Sequence, residues 1–338
     1  MFTPVLINNV PQCQPHPWHP SVIFVSDGWN GHRYWMAQTP FPPHNVAPYR
    51  DYYELPCIHF SDDGKKWSAV DNNPIDELDI SAIQDHNYFS DPHLVLKNSI
   101  LECYYRFSIL TDKQLVGNKT LLIKKTSNDG FHWSERQIIA DLRKEEDIMI
   151  WGDQIISQAL VWDGQSYHCW YVDKSSYLND RGIRMCSSSD GVNWTTNKKC
   201  YLEGNKVDPW HIDVQFYFGK YQMIVYDMWS LWWFESEDGI HFRLLSNILQ
   251  PTQYFMDFYS EGLYRACSVL TDQNIKIYFS AKNAKKTSIG LLTSKDRIVF
   301  KKCNGISQSQ YLINYILPQL TIRNCKRFVK HLIKKVRK

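Results

Sequence analysis

The nine cysteines are odd in number and form no Cys-x-x-Cys pair, so neither a disulfide framework nor a zinc site is indicated. No run of 18 apolar residues occurs, and no membrane-spanning helix is expected. The opening Met1–Asn9 stretch is short and lacks a basic leader, so export through a signal peptide is not expected and the cytoplasm is the expected compartment. Charge of one sign is also scarce. The 38 basic and 35 acidic residues leave a net +3, too balanced for a nucleic-acid binder judged on charge. Aromatic residues, by contrast, are plentiful: 13 Trp, 20 Tyr and 16 Phe suit packed sheets and sugar-binding surfaces equally.

A Ser-x-Asp-x-x-x-aromatic signature recurs five times: Ser61–Trp67, Ser127–Trp133, Ser188–Trp194, Ser236–Phe242 and a degenerate Ser294–Phe300. A repeat of this length, with an Asp-Gly turn and a closing aromatic, marks a propeller or similar array. Upstream of each copy lies a second element, a polar residue followed by an apolar run. Its copies begin at His19, Asp91, Ser157, His211 and Arg265, in step with the signatures. A turn and an alternating strand follow each, as in Tyr104-Tyr105-Arg106-Phe107. The pattern is strand, hairpin, strand, with the signature joining the later strands of a blade. The expected fold is therefore all-β: a five-bladed β-propeller over residues 1–308, with blades near 15–70, 86–135, 150–197, 205–245 and 258–302. The signature itself reads as a structural turn, its Asp and Ser bonding the backbone and its Gly taking positive φ.

The upstream elements carry the chemistry. The innermost strands of a propeller line its axis, so His19, Asp91, Ser157, His211 and Arg265 are expected to converge at one mouth. Ser21, His93 and Asp213 lie two residues further on and point the same way. Glu54 precedes the third strand of the first blade and leans inward. Asp153 and Glu261 stand just ahead of their inner strands, and Trp210 flanks His211. Carboxylates and imidazoles so placed can serve as general acid and base on a glycosidic oxygen, and Arg265 can clamp an anionic group. Asp91, Glu54, Asp213 and His211 are the candidate catalytic residues. His19, His93, Arg265, Ser157, Asp153 and Trp210 are the candidate substrate contacts. His19, His211 and Asp213 offer a two-imidazole, one-carboxylate set, but no metal or other cofactor is assigned.

These residues resemble those of the five-bladed glycoside hydrolases of families 32, 43, 68, 117 and 130. The strings His19-Pro20-Ser21-Val22, Tyr53-Glu54-x-Pro56, Ser90-Asp91-Pro92-His93, Pro209-Trp210-His211-x-Asp213 and Leu263-Tyr264-Arg265 are similar, more narrowly, to propeller proteins encoded in bacterial capsule and O-antigen loci. In families 32 and 43 the resemblance implies an Asp, an Asp and a Glu heading the first three blades. Here His19, Asp91 and Ser157 stand there, so only the middle carboxylate is kept. The resemblance implies a carbohydrate-active protein of bacterial surface polysaccharide assembly or modification, with glycosidase-, phosphorylase- or transferase-like chemistry on an anionic or phosphorylated glycan. Non-catalytic glycan binding or scaffolding beside membrane glycosyltransferases is the alternative.

Residues 309–338 differ in character. From Gln319 onward the chain holds eight Lys and Arg, no acidic residue, and apolar residues near helical spacing. A basic amphipathic helix is expected, with residues 320–338 either attracted to an anionic membrane surface or packed on the propeller.

Overall fold

The computed structural model describes residues 2–8, 16–41, 54–78, 87–109, 119–174, 182–254, 256–283 and 286–317. They form five antiparallel sheets whose innermost strands are Ser21–Trp29, Tyr88–Lys97, Ile156–Trp162, His211–Tyr217 and Gly262–Leu270. Each inner strand packs against the next, and the fifth packs back on the first, so the five-bladed propeller is closed.

Four strands lie outside the expected blade limits, of which Gln137–Asp141 and Lys198–Lys199 are the fourth strands of the second and third blades. Leu6–Asn8 adds a parallel fifth strand to the first blade by pairing with Lys66–Ala69, and Tyr201–Glu203 does the same in the fourth beside His241–Leu249. The first of these closes the ring. The Val5 amide donates to Ile289 O of the fifth blade at 2.9 Å, while the Leu6 amide donates to Lys65 O of the first at 2.9 Å.

The signature turns are structural. In the third blade the Ser188 hydroxyl donates to Asp190 Oδ1 at 2.9 Å and accepts from the Gly191 amide at 2.8 Å. Asp190 Oδ1 also accepts from the Val192 and Asn193 amides at 2.8 Å. The same bonds recur at Asp63, Asp129, Asp238 and Asp296. Gly130, at φ 83°, lies so close to the Trp35 ring of the preceding blade that a Cβ would overlap it. Trp170 and Tyr278 likewise donate across blade boundaries to Gly239 O at 2.8 Å and Gly64 O at 3.0 Å. The signature thus serves as an inter-blade staple.

The inner-strand heads are also distinctive. His19, Asp91 and Ser157 all sit at φ 52–55°, a region that side chains other than glycine rarely occupy. Pairing slips at Ser90/His93, Ile156/Ala159 and Leu263/Ala266, so the second, third and fifth inner strands bulge at their heads. Bulges re-aim side chains, and here they turn Asp91, Ser157 and Arg265 relative to the residues that follow.

After the last strand, Lys301–Cys303, a short helix (Gln308–Tyr311) begins at a capping box on Ser307 and passes into a π-turn, Leu312–Ile316. The basic stretch 318–338 lies outside the described residues.

Candidate functional site

The inner-strand heads meet at one end of the axis. Asp91 is the hub and is fully buried. Its Oδ2 accepts from Arg106 Nε at 2.6 Å and from the Ser157 amide at 3.1 Å. Its Oδ1 lies 3.3 Å from His211 Nδ1, 3.6 Å from Arg265 Nη1 and 3.8 Å from His19 Nε2. Gln158 Nε2 donates to the Asp91 carbonyl, and Arg265 Nη2 donates to Gln158 O at 3.1 Å. Burial opposes ionisation of Asp91, yet its partners, Arg106 foremost, hold its carboxyl well below the usual range.

Glu54 stands behind His19. Its Oε2 lies 2.9 Å from His19 Nδ1 and accepts from Thr39 Oγ1 at 2.9 Å and Ser90 Oγ at 2.7 Å. An acceptor beside Nδ1 places the proton there and leaves the Nε2 lone pair facing Asp91. His211 is kept neutral: burial, with His19 and Arg265 nearby, lowers its pKa to about 4 despite Asp91.

His19, Asp91 and His211 each offer one ligand-type atom, all within 4.8 Å of one another. His19 Nε2, Asp91 Oδ1 and both His211 nitrogens are buried without a hydrogen-bond partner. Tetrahedral ligands on bonds of about 2.1 Å stand about 3.4 Å apart, close to the observed 3.3 and 3.8 Å. The carboxylate of the set is Asp91, where the sequence had offered Asp213 with no metal assigned.

Asp213 occupies a deeper layer. Its Oδ2 accepts from the Ser268 amide at 2.9 Å, and its Oδ1 lies 3.7 Å from His93 Nδ1. Burial raises its pKa to about 6, opposed by the Ser268 bond and Arg265. His93 Nε2 contacts Leu160 O at 2.8 Å, and burial and Arg265 hold its pKa to about 3. Ser157 Oγ donates to Ile212 O at 3.2 Å and accepts from the Ile212 amide at 3.0 Å, linking the third and fourth blades. Asp153 is partly exposed, and Glu261 is exposed.

Five residues were not among the sequence candidates. Arg106 arrives from the second strand of its blade, and Thr39 and Ser90 hold Glu54. Tyr264 covers the site, its ring 4.3 Å from His211 and 5.2 Å from His19. Trp18 stacks on it at 4.9 Å, and Trp210 Nε1 donates to its hydroxyl at 3.2 Å. Paired aromatic faces of this kind suit the apolar face of a sugar ring.

No family model matches the chain. Among curated proteins it is 27% identical over 234 residues to an A type blood N-acetyl-α-D-galactosamine deacetylase of Flavonifractor plautii, a match that takes in 59% of this chain and 29% of that protein. The chain thus spans less than a third of that relative's length. The solved structure of an N-acetylgalactosamine deacetylase from Flavonifractor plautii, in complex with blood group B trisaccharide, has a TM-score of 0.67 at 19% identity, covering 87% of this chain and 94% of that one. A family 43 β-xylosidase/α-arabinofuranosidase from a compost microbial metagenome, in complex with xylotriose, has a TM-score of 0.59 at 11% identity, covering 91% and 99%. The chain has the five-bladed propeller fold of these carbohydrate-active proteins.

Proposed function

We propose that the chain is a hydrolase that removes the acetyl group from an N-acetylated sugar, using a divalent cation held by His19, Asp91 and His211. One observation carries this reading: three buried ligand-type groups converge with their ligand atoms unpartnered. Unpartnered buried polar atoms are costly and rare, and this donor set matches two-His, one-carboxylate metal sites. The similarity to a deacetylase supports the same chemistry.

A bound cation would polarise the amide carbonyl and acidify a water molecule. The chain's own residues prepare the site. Glu54 fixes the His19 tautomer, while Arg106 and the Ser157 amide keep Asp91 ionised and in place. Tyr264 and Trp210, backed by the buried Trp18, form an aromatic wall for the sugar. In the reaction a water oxygen adds to the carbonyl carbon and the C–N bond breaks. The nitrogen takes a proton, leaving an amino sugar and acetate.

The two-carboxylate glycosidase reading is weaker. Glu54 Oε2 is engaged by His19, Thr39 and Ser90, and Asp213 is engaged a layer deeper. Ser157 and His19 stand where the resemblance requires acids. The wider role we assign is modification of a bacterial surface polysaccharide, on the likeness to capsule and O-antigen propeller proteins.

The test is product identity. The protein is incubated with N-acetylated oligosaccharides, and both acetate and new reducing ends are measured. Acetate without new reducing ends is expected. New reducing ends without acetate would return the glycosidase reading, and binding without either product would leave a glycan-binding propeller.

A further inference from the structure

The C-terminal helix lies on the same face as the His19–Asp91–His211 ring. The strand Lys301–Cys303 runs antiparallel to Lys286–Ser294 and so heads toward the end where Gly262 pairs with Lys282, the mouth end of the fifth blade. Beyond it, Tyr311 donates to Met256 O at 2.6 Å, Ser288 donates to the Tyr315 hydroxyl at 3.1 Å, and Lys286 donates to Asn314 O. Tyr311 and Ile316 are buried there, while Leu312, Ile313 and Leu317 are exposed. The chain then continues into 318–338, whose eight Lys and Arg are accompanied by no acidic residue.

Other apolar side chains stand out from the same face. The turn between the second and third strands of the fourth blade begins next to Tyr226, the partner of His211, and exposes Met228 and Trp229. That turn is rigid: Asp227 Oδ1 accepts from the Trp229 and Ser230 amides at 3.1 and 2.7 Å, and Oδ2 accepts from Trp232 Nε1 at 2.7 Å. The helix Glu145–Trp151, which leads into the third inner strand, exposes Met149. The opposite face carries exposed apolar residues too, such as Val192 and Ile298. Each blade also presents its signature aspartate there, Asp63, Asp129, Asp190, Asp238 and Asp296.

We infer that the protein docks mouth-down on an anionic lipid bilayer. Leu312, Ile313, Leu317, Met228 and Trp229 enter the interface, and the basic C-terminal stretch is drawn to lipid head groups. Charge complementarity selects the lipid, since clustered Lys and Arg beside apolar residues bind anionic surfaces, and tryptophan favours the membrane–water boundary. The mouth face carries acids of its own, Glu145, Glu146, Asp147 and Asp227 among them, so the attraction comes from the basic stretch that follows Leu317. If the carbohydrate reading also holds, the ring faces sugars borne on lipid at that surface. The docking itself does not depend on that reading.

Full-length protein is sedimented with vesicles of phosphatidylcholine, alone or with phosphatidylglycerol as the minority lipid. Binding to the anionic vesicles should be at least about tenfold stronger, and should weaken as salt rises. The Ile313→Glu/Leu317→Glu pair and Trp229→Glu should each weaken it about tenfold. The far-face pair Val192→Glu/Ile298→Glu should leave it unchanged, and all variants should melt as wild type does. Ile313→Ser/Leu317→Ser replaces the first pair if that pair melts early. Equal binding to both vesicles, no binding, or loss caused by the far-face pair overturns the inference. So does release of bound protein from the vesicles by RNA added at equal charge.

Discussion

Glu54 Oε2 lies 2.9 Å from His19 Nδ1, on the side of the ring opposite Asp91. This contact decides which His19 nitrogen keeps a lone pair. Partners of this kind set the basicity and orientation of a ligating imidazole. Glu54→Gln should therefore lower divalent-cation affinity by about 10–100-fold while leaving thermal stability near wild type. Titration calorimetry beside a melting curve separates the two effects. Equal affinity in the variant would remove Glu54 from the site.

Arg106 compensates a fully buried carboxylate. Arg106→Leu removes the nearer of its two guanidinium partners, leaving Arg265 at 3.6 Å, and should cost about 3 kcal/mol of unfolding free energy, the low end for a broken buried pair. Combining it with Asp91→Asn should recover part of the loss, because the buried charge is then gone. Denaturant unfolding of the four proteins in the cycle gives the coupling directly. Additive losses would contradict the pairing.

Ser157 combines a left-handed backbone with two bonds from its hydroxyl to Ile212. Ala at this position loses the bonds and keeps the strain, whereas Gly loses the bonds and relieves it. Ser157→Gly should therefore be more stable than Ser157→Ala by about 1 kcal/mol, the reverse of the usual order within a strand. Paired chemical denaturation curves check the sign.

Much of this arrangement was legible in the sequence. The signature fixed the phase of the blades, and polar residues at the heads of apolar strands marked the ring. Period-two reasoning placed Asp213 beside His211, but two residues along a strand is a rise of about 6.6 Å. That rise puts Asp213 in the next layer, where His93 and Ser268 engage it. Asp91, already expected in the ring, supplies the carboxylate instead; what the sequence did not show is the bulge at Asp91-Pro92 that turns its side chain across the axis. Arg106 was hidden for another reason. It belongs to a second strand, whose alternation says that a residue faces inward but not which carboxylate it meets. The three-residue strand Leu6–Asn8 is too short to show a period, and pairing with Lys66–Ala69 makes it a strand.

Acid should expose the signature turns. Burial is the largest single influence on the Asp129 pKa and raises it, but the bonds from His132, the neighbouring amides and Ser127 together hold it below its ordinary value of 3.8; amide bonds lower that of Asp190 too. Asp238 is lowered likewise, against burial, by His241 and its turn amides. The unfolded chain then binds more protons than the folded one below that value. Stability from these groups is complete above about pH 4 and is lost as pH falls toward the folded values. Asp129→Asn with Asp238→Asn should lower Tm at pH 7 and flatten its fall between pH 4 and 2. An unchanged acid limb would show that other carboxylates govern it.

The central claim is that His19, Asp91 and His211 together hold one divalent cation. Calorimetric titration of chelator-treated protein with Zn²⁺ and with Mn²⁺, in wild type and in His211→Ala, tests it most directly. The account predicts one ion per wild-type chain for at least one of the metals, with binding abolished in His211→Ala while the fold is retained. No binding by wild type, or equal binding by the variant, would contradict it.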